Sequence, residues 1–300
     1  MTEWKTQKSK GLITGSGLML AIILIDTGLI WLATERPLTI GTFVIGLAVL
    51  TSLFFLVLIG YWLYGLARSK YMLDRNALVI RWGAVEQIIP TTQIQRVLTG
   101  EEIKGNIRFY GGMWPGHWVG YGEVAGAGQT LFYATVPPRA QVYIVTPGLS
   151  YGISPADKDG FLASLHKRLE MGPTQLVEQG SLLPGFVHWA IWRDRLGLGM
   201  LLAGCIALLT LVGLLCFYFP ALPDVVPLHF GATGVPDRLE ARGGIFIVPL
   251  IGLLALLFNG TLGALAYRRE KMISYLLWGG AALIQILIWK AALDILGQAV

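Results

Sequence analysis

Five long apolar runs punctuate the chain: Gly11 to Ala33, Gly41 to Ala67, Leu196 to Phe219, Ile245 to Tyr267 and Met272 to Trp289. Each has about the 20 apolar residues that a helix needs to cross a bilayer. Between the second and third runs, Tyr71 to Glu170 holds no such stretch, and its hydrophobic positions alternate at strand period. "YMLDRNALVIRWG" predicts strand, Asp-Arg-Asn turn and strand, with Leu78 and Ile80 on one face. "VEQIIP" and "IQRVL" predict short strands broken at Pro90, and "QTLFYATV" and "AQVYIVTP" predict two more, separated by Pro137-Pro138. The period then becomes helical, with a stripe of Phe161, Leu162, Leu165 and Leu169. Ser154 is the expected N-cap there, Pro155 the first helical residue and Asp157 a first-turn acid. Several antiparallel strands followed by one amphipathic helix predict a small barrel capped by that helix.

The predicted fold class is therefore an α-helical multi-pass membrane protein of five spans with an inserted β-rich domain. A two-helix hairpin occupies 1–70, the inserted domain 71–170 and a linker with an interfacial helix 171–195. A three-helix membrane domain with an outer loop at 220–244 completes the chain. The interfacial helix is read from "FVHWAIWRDR", which spaces Phe186, Trp189 and Trp192 by three; His188 is its interfacial passenger.

Composition supports the membrane class. The chain is 54% hydrophobic and 14% charged, against roughly a quarter charged in globular proteins. Basic residues cluster at alternate ends of the spans: Lys5, Lys8 and Lys10; Arg68, Lys70 and Arg75; Arg193 and Arg195; Arg268, Arg269 and Lys271. By the positive-inside rule the N-terminus and residues 71–170 are cytoplasmic, and the loop at 220–244 and the C-terminus lie outside. The first apolar run exceeds the roughly 7–15 residues of a signal peptide's core, so a retained helix is expected. Cys205 and Cys216 stand about 16 Å apart along one helix, too far for a disulfide.

Within Tyr71 to Glu170, "YMLDRNALVIRWGAVEQIIPTTQIQRV", the glycine- and tryptophan-rich "GGMWPGHWVGYGEV", "LFYAT" and "VYIVTPGLSYGISPADKDGFLASL" resemble the bacterial membrane-anchored pleckstrin-homology-like domains. The resemblance implies a seven-stranded bent barrel closed by a helix, a binding role and a bacterial inner-membrane location. Nine basic and eight acidic side chains leave the region at net +1, which disfavours a polyphosphoinositide pocket. A protein partner through 71–170 is the expectation, beside the bilayer itself, with no nucleic acid and no cofactor. His117 is read as a loop residue beside two tryptophans, and His166 as a solvent-facing helix residue.

The outer stretch "LPDVVPLHFGATGVPDR", Leu222 to Arg238, holds Pro223, Pro227 and Pro236, so it cannot be a continuous helix. With Gly231 and Gly234 it predicts a stiff, turn-rich loop. Its spacing of Leu222, Pro223, Val226, Pro227, His229, Phe230, Gly234, Pro236 and Asp237 is similar to a short membrane domain of immunity and signalling proteins against a sporulation-delay toxin. That resemblance implies sensing of, or tolerance to, an envelope-active peptide. Those proteins carry further helices and no β-rich insert, so the architecture here departs from theirs.

Two readings of the whole chain follow. One is a non-catalytic binding or scaffold protein, such as an accessory subunit of a membrane complex or a peptide sensor. The other is a transporter or metal-dependent membrane enzyme using His229, Asp224 and Asp237; a zinc site wants at least three ligands, and His229 is the one nitrogen donor in the loop. Intramembrane charge adds a last candidate. Asp26 and Lys290 lie at similar depths of the first and last spans and could form an interhelical ion pair; the alternative is a Lys290–Asp294 pair one turn apart.

Overall fold

The structure is a computed structural model that describes residues 1–183, 189–230 and 236–299. Five helices among these residues are long and apolar enough to cross a membrane. They are α1 (Ser9–Thr34), α2 (Ile40–Ala67), α4 (Arg195–Tyr218), α5 (Ile247–Ala266) and α6 (Lys271–Ala299). The chain divides into two compact units, Met1–Ile25 with Ser52–Gly185 and Asp26–Thr51 with Phe186–Val300, so the division falls inside α1 and α2.

In the first unit the chain opens with a short strand, β1 (Thr2–Lys5), just before α1. After α2 come β2 (Lys70–Leu73), β3 (Ala77–Trp82), β4 (Val85–Pro90) and β5 (Arg96–Thr99). Then follow β6 (Ile107–Trp114), β7 (His117–Val124), β8 (Gly128–Ala134), β9 (Val142–Val145) and β10 (Ser150–Ile153). Helix α3 (Lys158–Met171) and β11 (Gly180–Leu182) complete the unit.

These strands do not close a barrel. They form two sheets, ordered β1-β2-β3-β4-β11 and β5-β9-β10-β8-β7-β6. The physical reason lies at Pro90: β4 ends there, a 3₁₀ turn (Thr91–Gln93) follows, and β5 starts in the other sheet against β9. The core forms between the sheets. Tyr71, Leu73, Leu78, Ile80 and Ile89 from the first meet Val142, Ile144, Tyr151 and Ile153 from the second, with Phe161 and Leu165 of α3 covering them. Burying each such side chain contributes about 1.5–3 kcal/mol. Tyr71 also bridges the sheets, donating from its hydroxyl to Tyr133 O (2.6 Å) and accepting from Ser154 N (3.0 Å).

Helix α3 starts three residues later than expected. Asp157 is its N-cap, with the carboxylate accepting from Gly160 N at 2.9 Å. Ser154 is used instead by the sheet, where its hydroxyl accepts from Thr135 N at 2.7 Å. Its stripe buries Phe161 and Leu165, and His166 is exposed.

In the second unit α4, α5 and α6 pack around Leu211, Leu215, Ile245, Ala281, Ala292 and Ile295. A two-stranded hairpin, β12 (Val225–Phe230) with β13 (Pro236–Ala241), joins α4 to α5. The segment before α4 is a 3₁₀ turn, Ala190–Arg193, where an interfacial helix was expected; Phe186 and His188 lie outside the described residues.

Candidate functional site

Two residues separate α2 from β2, so the β-rich unit follows the helix without a flexible tether. The ends of the two apolar helices are built into it. The turn of the β6–β7 hairpin is Trp114-Pro115-Gly116-His117, with Trp114 paired to His117. Proline followed by glycine at φ +93° is the combination a type II turn requires. That turn presses on the first residues of α1: a Cβ at Gly11 would lie 2.2 Å from Gly116 O. Trp114 Nε1 donates to Gly11 O at 2.9 Å. From α2, the Trp62 indole lies against Gly112 of β6, where a Cβ would meet it at 2.8 Å.

His117 sits at the centre of this joint, fully buried on a strand rather than in the loop expected from sequence. Its ring stacks on Trp114 with centroids 4.0 Å apart and 14° between planes. Trp62 and Trp82 flank it, each with its centroid 6.0 Å away. Neither ring nitrogen has a hydrogen-bond partner. Burial pulls its pKa down to about 4, so the imidazole is neutral at physiological pH.

The described residues of the proline-rich motif lie in and just before the β12–β13 hairpin. Each strand of a two-stranded ribbon is an edge strand, where proline is tolerated, and the register shifts between Pro227 and His229. Leu222 and Val226 are buried in the helix core, whereas Pro223 and Asp224 are exposed and Pro227 is half-buried. Asp224 Oδ1 stands 4.0 Å from Arg242 Nε, and Arg242 N donates to Asp224 O at 2.9 Å. Gly234 and the side chains of His229, Phe230, Pro236 and Asp237 lie outside the described residues. No group of three metal-ligating side chains occurs among the described residues.

Of the intramembrane candidates, Asp26 is buried in α1. The Lys290 ammonium takes its partner from its own helix, Asp294 Oδ2 at 2.5 Å, which is the alternative pairing the spacing offered.

One polar cluster had no sequence signal. Asp194 caps α4, accepting from Leu196 N (3.1 Å) and Gly197 N (3.0 Å). Its other oxygen accepts from the hydroxyls of Tyr267 (2.8 Å) and Tyr275 (2.7 Å). The Gly197 amide and then the Tyr275 hydroxyl hold its pKa down to about 2. Beside it, buried Trp278 fills the gap left by Gly197 of α4 and Gly263 of α5. One carboxylate thus ties one end of three helices together. Asp194→Ala leaves all four donors without their acceptor and is expected to lower the thermal midpoint by a few degrees. Asp194→Asn, which keeps a capping oxygen, should lose less; equal midpoints for Asp194→Ala and the wild type would refute the clip.

A two-sheet domain closed by a C-terminal helix, joined directly to apolar helices, fits a membrane-associated class carrying a pleckstrin-homology-like domain. Residues 69–169 match the family described as Bacterial PH domain, and residues 205–253 match a Domain of unknown function (DUF1648). Both resemblances seen in the sequence are thereby shown, side by side in one chain. No curated protein and no solved structure matches.

Proposed function

We propose that the protein is a non-catalytic, five-span bacterial inner-membrane protein that holds its PH-like domain on the cytoplasmic face as a rigid docking platform for another protein. The observation that carries this reading is the joint around His117. Anchoring alone needs only a flexible linker, whereas packing Trp62, Gly11 and the β6–β7 turn together fixes the domain on the ends of α1 and α2. Fixed orientation matters to a subunit that presents a surface or transmits a displacement. The β6–β7 hairpin, at one edge of its sheet, offers such a surface. Tyr110 and Tyr121 stack 5.6 Å apart and are 56% and 64% exposed. Aromatic side chains are enriched at protein interfaces. The N-terminus lies inside and the C-terminus outside, in accord with the alternating basic clusters.

Two measurements test the reading. Single cysteines placed in 71–170 and after Ala299, in a chain lacking Cys205 and Cys216, should react with an impermeant reagent from opposite sides of the membrane. Purification in mild detergent should recover a stoichiometric partner from the wild type and lose it from Tyr110→Ala/Tyr121→Ala. Recovery undiminished by that change and by deletion of 71–170 would overturn the platform.

A further inference from the structure

We propose that a groove at the ends of α1 and α2 binds the phosphodiester headgroup of an anionic phospholipid. The groove encloses about 720 Å³ and is lined by five cations, Lys5, Lys8, Arg68, Lys70 and Arg81, against two acids, Glu3 and Glu86. Both acids are already used. Lys70 Nζ lies 2.8 Å from Glu3 Oε2 and holds that carboxyl below its usual range, while Arg81 pairs with Glu86. Lys5, Lys8 and Arg68 make no salt bridge among the described residues, and Lys5 acts on Glu3 only at longer range. Lys8 donates to Ala67 O at the end of α2 (2.6 Å), and Arg68 lies over the Tyr64 ring at 4.9 Å. Arg81 Nε is buried and has no hydrogen-bond partner.

The location selects the source of the anion. Lys8 immediately precedes α1 and Arg68 immediately follows α2, so the groove lies at the depth where a span meets the headgroups. Below it, Ile13 of α1 and Tyr61 of α2 are exposed and can lie against acyl chains, while Tyr64 lines the groove itself. Three cations outside any salt bridge suit a single phosphodiester better than a polyphosphate. The net charge of +1 counted over 71–170 concealed the site, because Lys5, Lys8, Arg68 and Lys70 all lie outside that range.

The inference rests on reading α1 and α2 as spans, and the cysteine-labelling experiment tests that reading separately. To test the site itself, the full chain in detergent is titrated with phosphatidylglycerol and with phosphatidylcholine of the same acyl chains, and bound lipid is counted by native mass spectrometry. Phosphatidylglycerol is expected to bind at least about thirtyfold more tightly. Lys5→Gln/Arg68→Gln should weaken it roughly thirtyfold and leave phosphatidylcholine unchanged. Lys104→Gln/Arg108→Gln, remote from the groove, should change neither. Equal affinity of the wild type for the two lipids would overturn the proposal whether or not the variants fold. Equal losses from the groove and remote variants would do the same. Displacement of phosphatidylglycerol by millimolar inorganic phosphate would reassign the site to a soluble phosphate compound.

Discussion

Gly116→Ala is expected to destabilise the joint between the helices and the β-rich unit by more than about 3 kcal/mol. Two costs act together. At φ +93° an L side chain is strained by roughly 1–2 kcal/mol. The new Cβ would also stand 2.2 Å from Gly11 N and 2.5 Å from Gly11 Cα, backbone atoms that cannot rotate away. The turn and the start of α1 must part, which breaks the bond from Trp114 Nε1 to Gly11 O. Gly126→Ala separates the two costs, because Gly126 has φ +83° with no atom near its missing Cβ. It should lose about 1 kcal/mol from strain alone. Hydrogen exchange over β1 and the β6–β7 hairpin reads the outcome locally: fast exchange in Gly116→Ala and near-normal exchange in Gly126→Ala. Equal, small effects from both substitutions would show that the turn does not hold the helix.

How much of this was legible beforehand depends on where the pattern of side chains carries the structure. The apolar helices were, because hydrophobic length alone decides them, and the structure begins and ends them within a few residues of the runs for all but α6, which continues to Ala299. The strands around Asp74-Arg75-Asn76 were also legible, since Leu78 and Ile80 alternate and Asp74 Oδ1 closes the turn by accepting from Asn76 N and Ala77 N. The β6–β7 hairpin was not. His117 reads as loop there, and the surrounding glycines give no strand signal because glycine weakens an isolated strand. Here Gly111 faces Gly120, and a Cβ at Gly120 would lie 2.2 Å from Tyr110 O, so the missing side chains permit a close approach. Pro227 and Pro236 misled in the same direction. Proline argues against a central strand, yet in a two-stranded ribbon every strand is an edge. The groove and the Asp194 clip were invisible for a different reason: each gathers residues far apart in sequence, such as Lys5 with Arg81 and Asp194 with Tyr275.

The second large effect concerns acid. His117 is neutral in the folded protein, with its pKa pulled down to about 4 by burial, against about 6.5 in an unfolded chain. Above pH 6.5 both states are neutral and the shift contributes nothing. As pH falls from 6.5 toward 4 the unfolded state takes up a proton that the folded state refuses, so stability drops by about 3 kcal/mol over that window. Below pH 4 both states are protonated and this contribution is flat. His117→Leu removes both unpartnered nitrogens while keeping a comparable volume, at the cost of the stacking on Trp114. Removing buried polar atoms that lack partners is close to neutral or stabilising, so the variant should match or exceed the wild type at pH 7. Its thermal midpoint should then fall less than that of the wild type between pH 6.5 and 4. Tryptophan fluorescence gives a second readout, since a cation at 117 would meet Trp62, Trp82 and Trp114 at once. If wild type and His117→Leu lose stability in parallel through this window, the acid response belongs to other groups, and the joint owes its strength to the tryptophans and glycines alone.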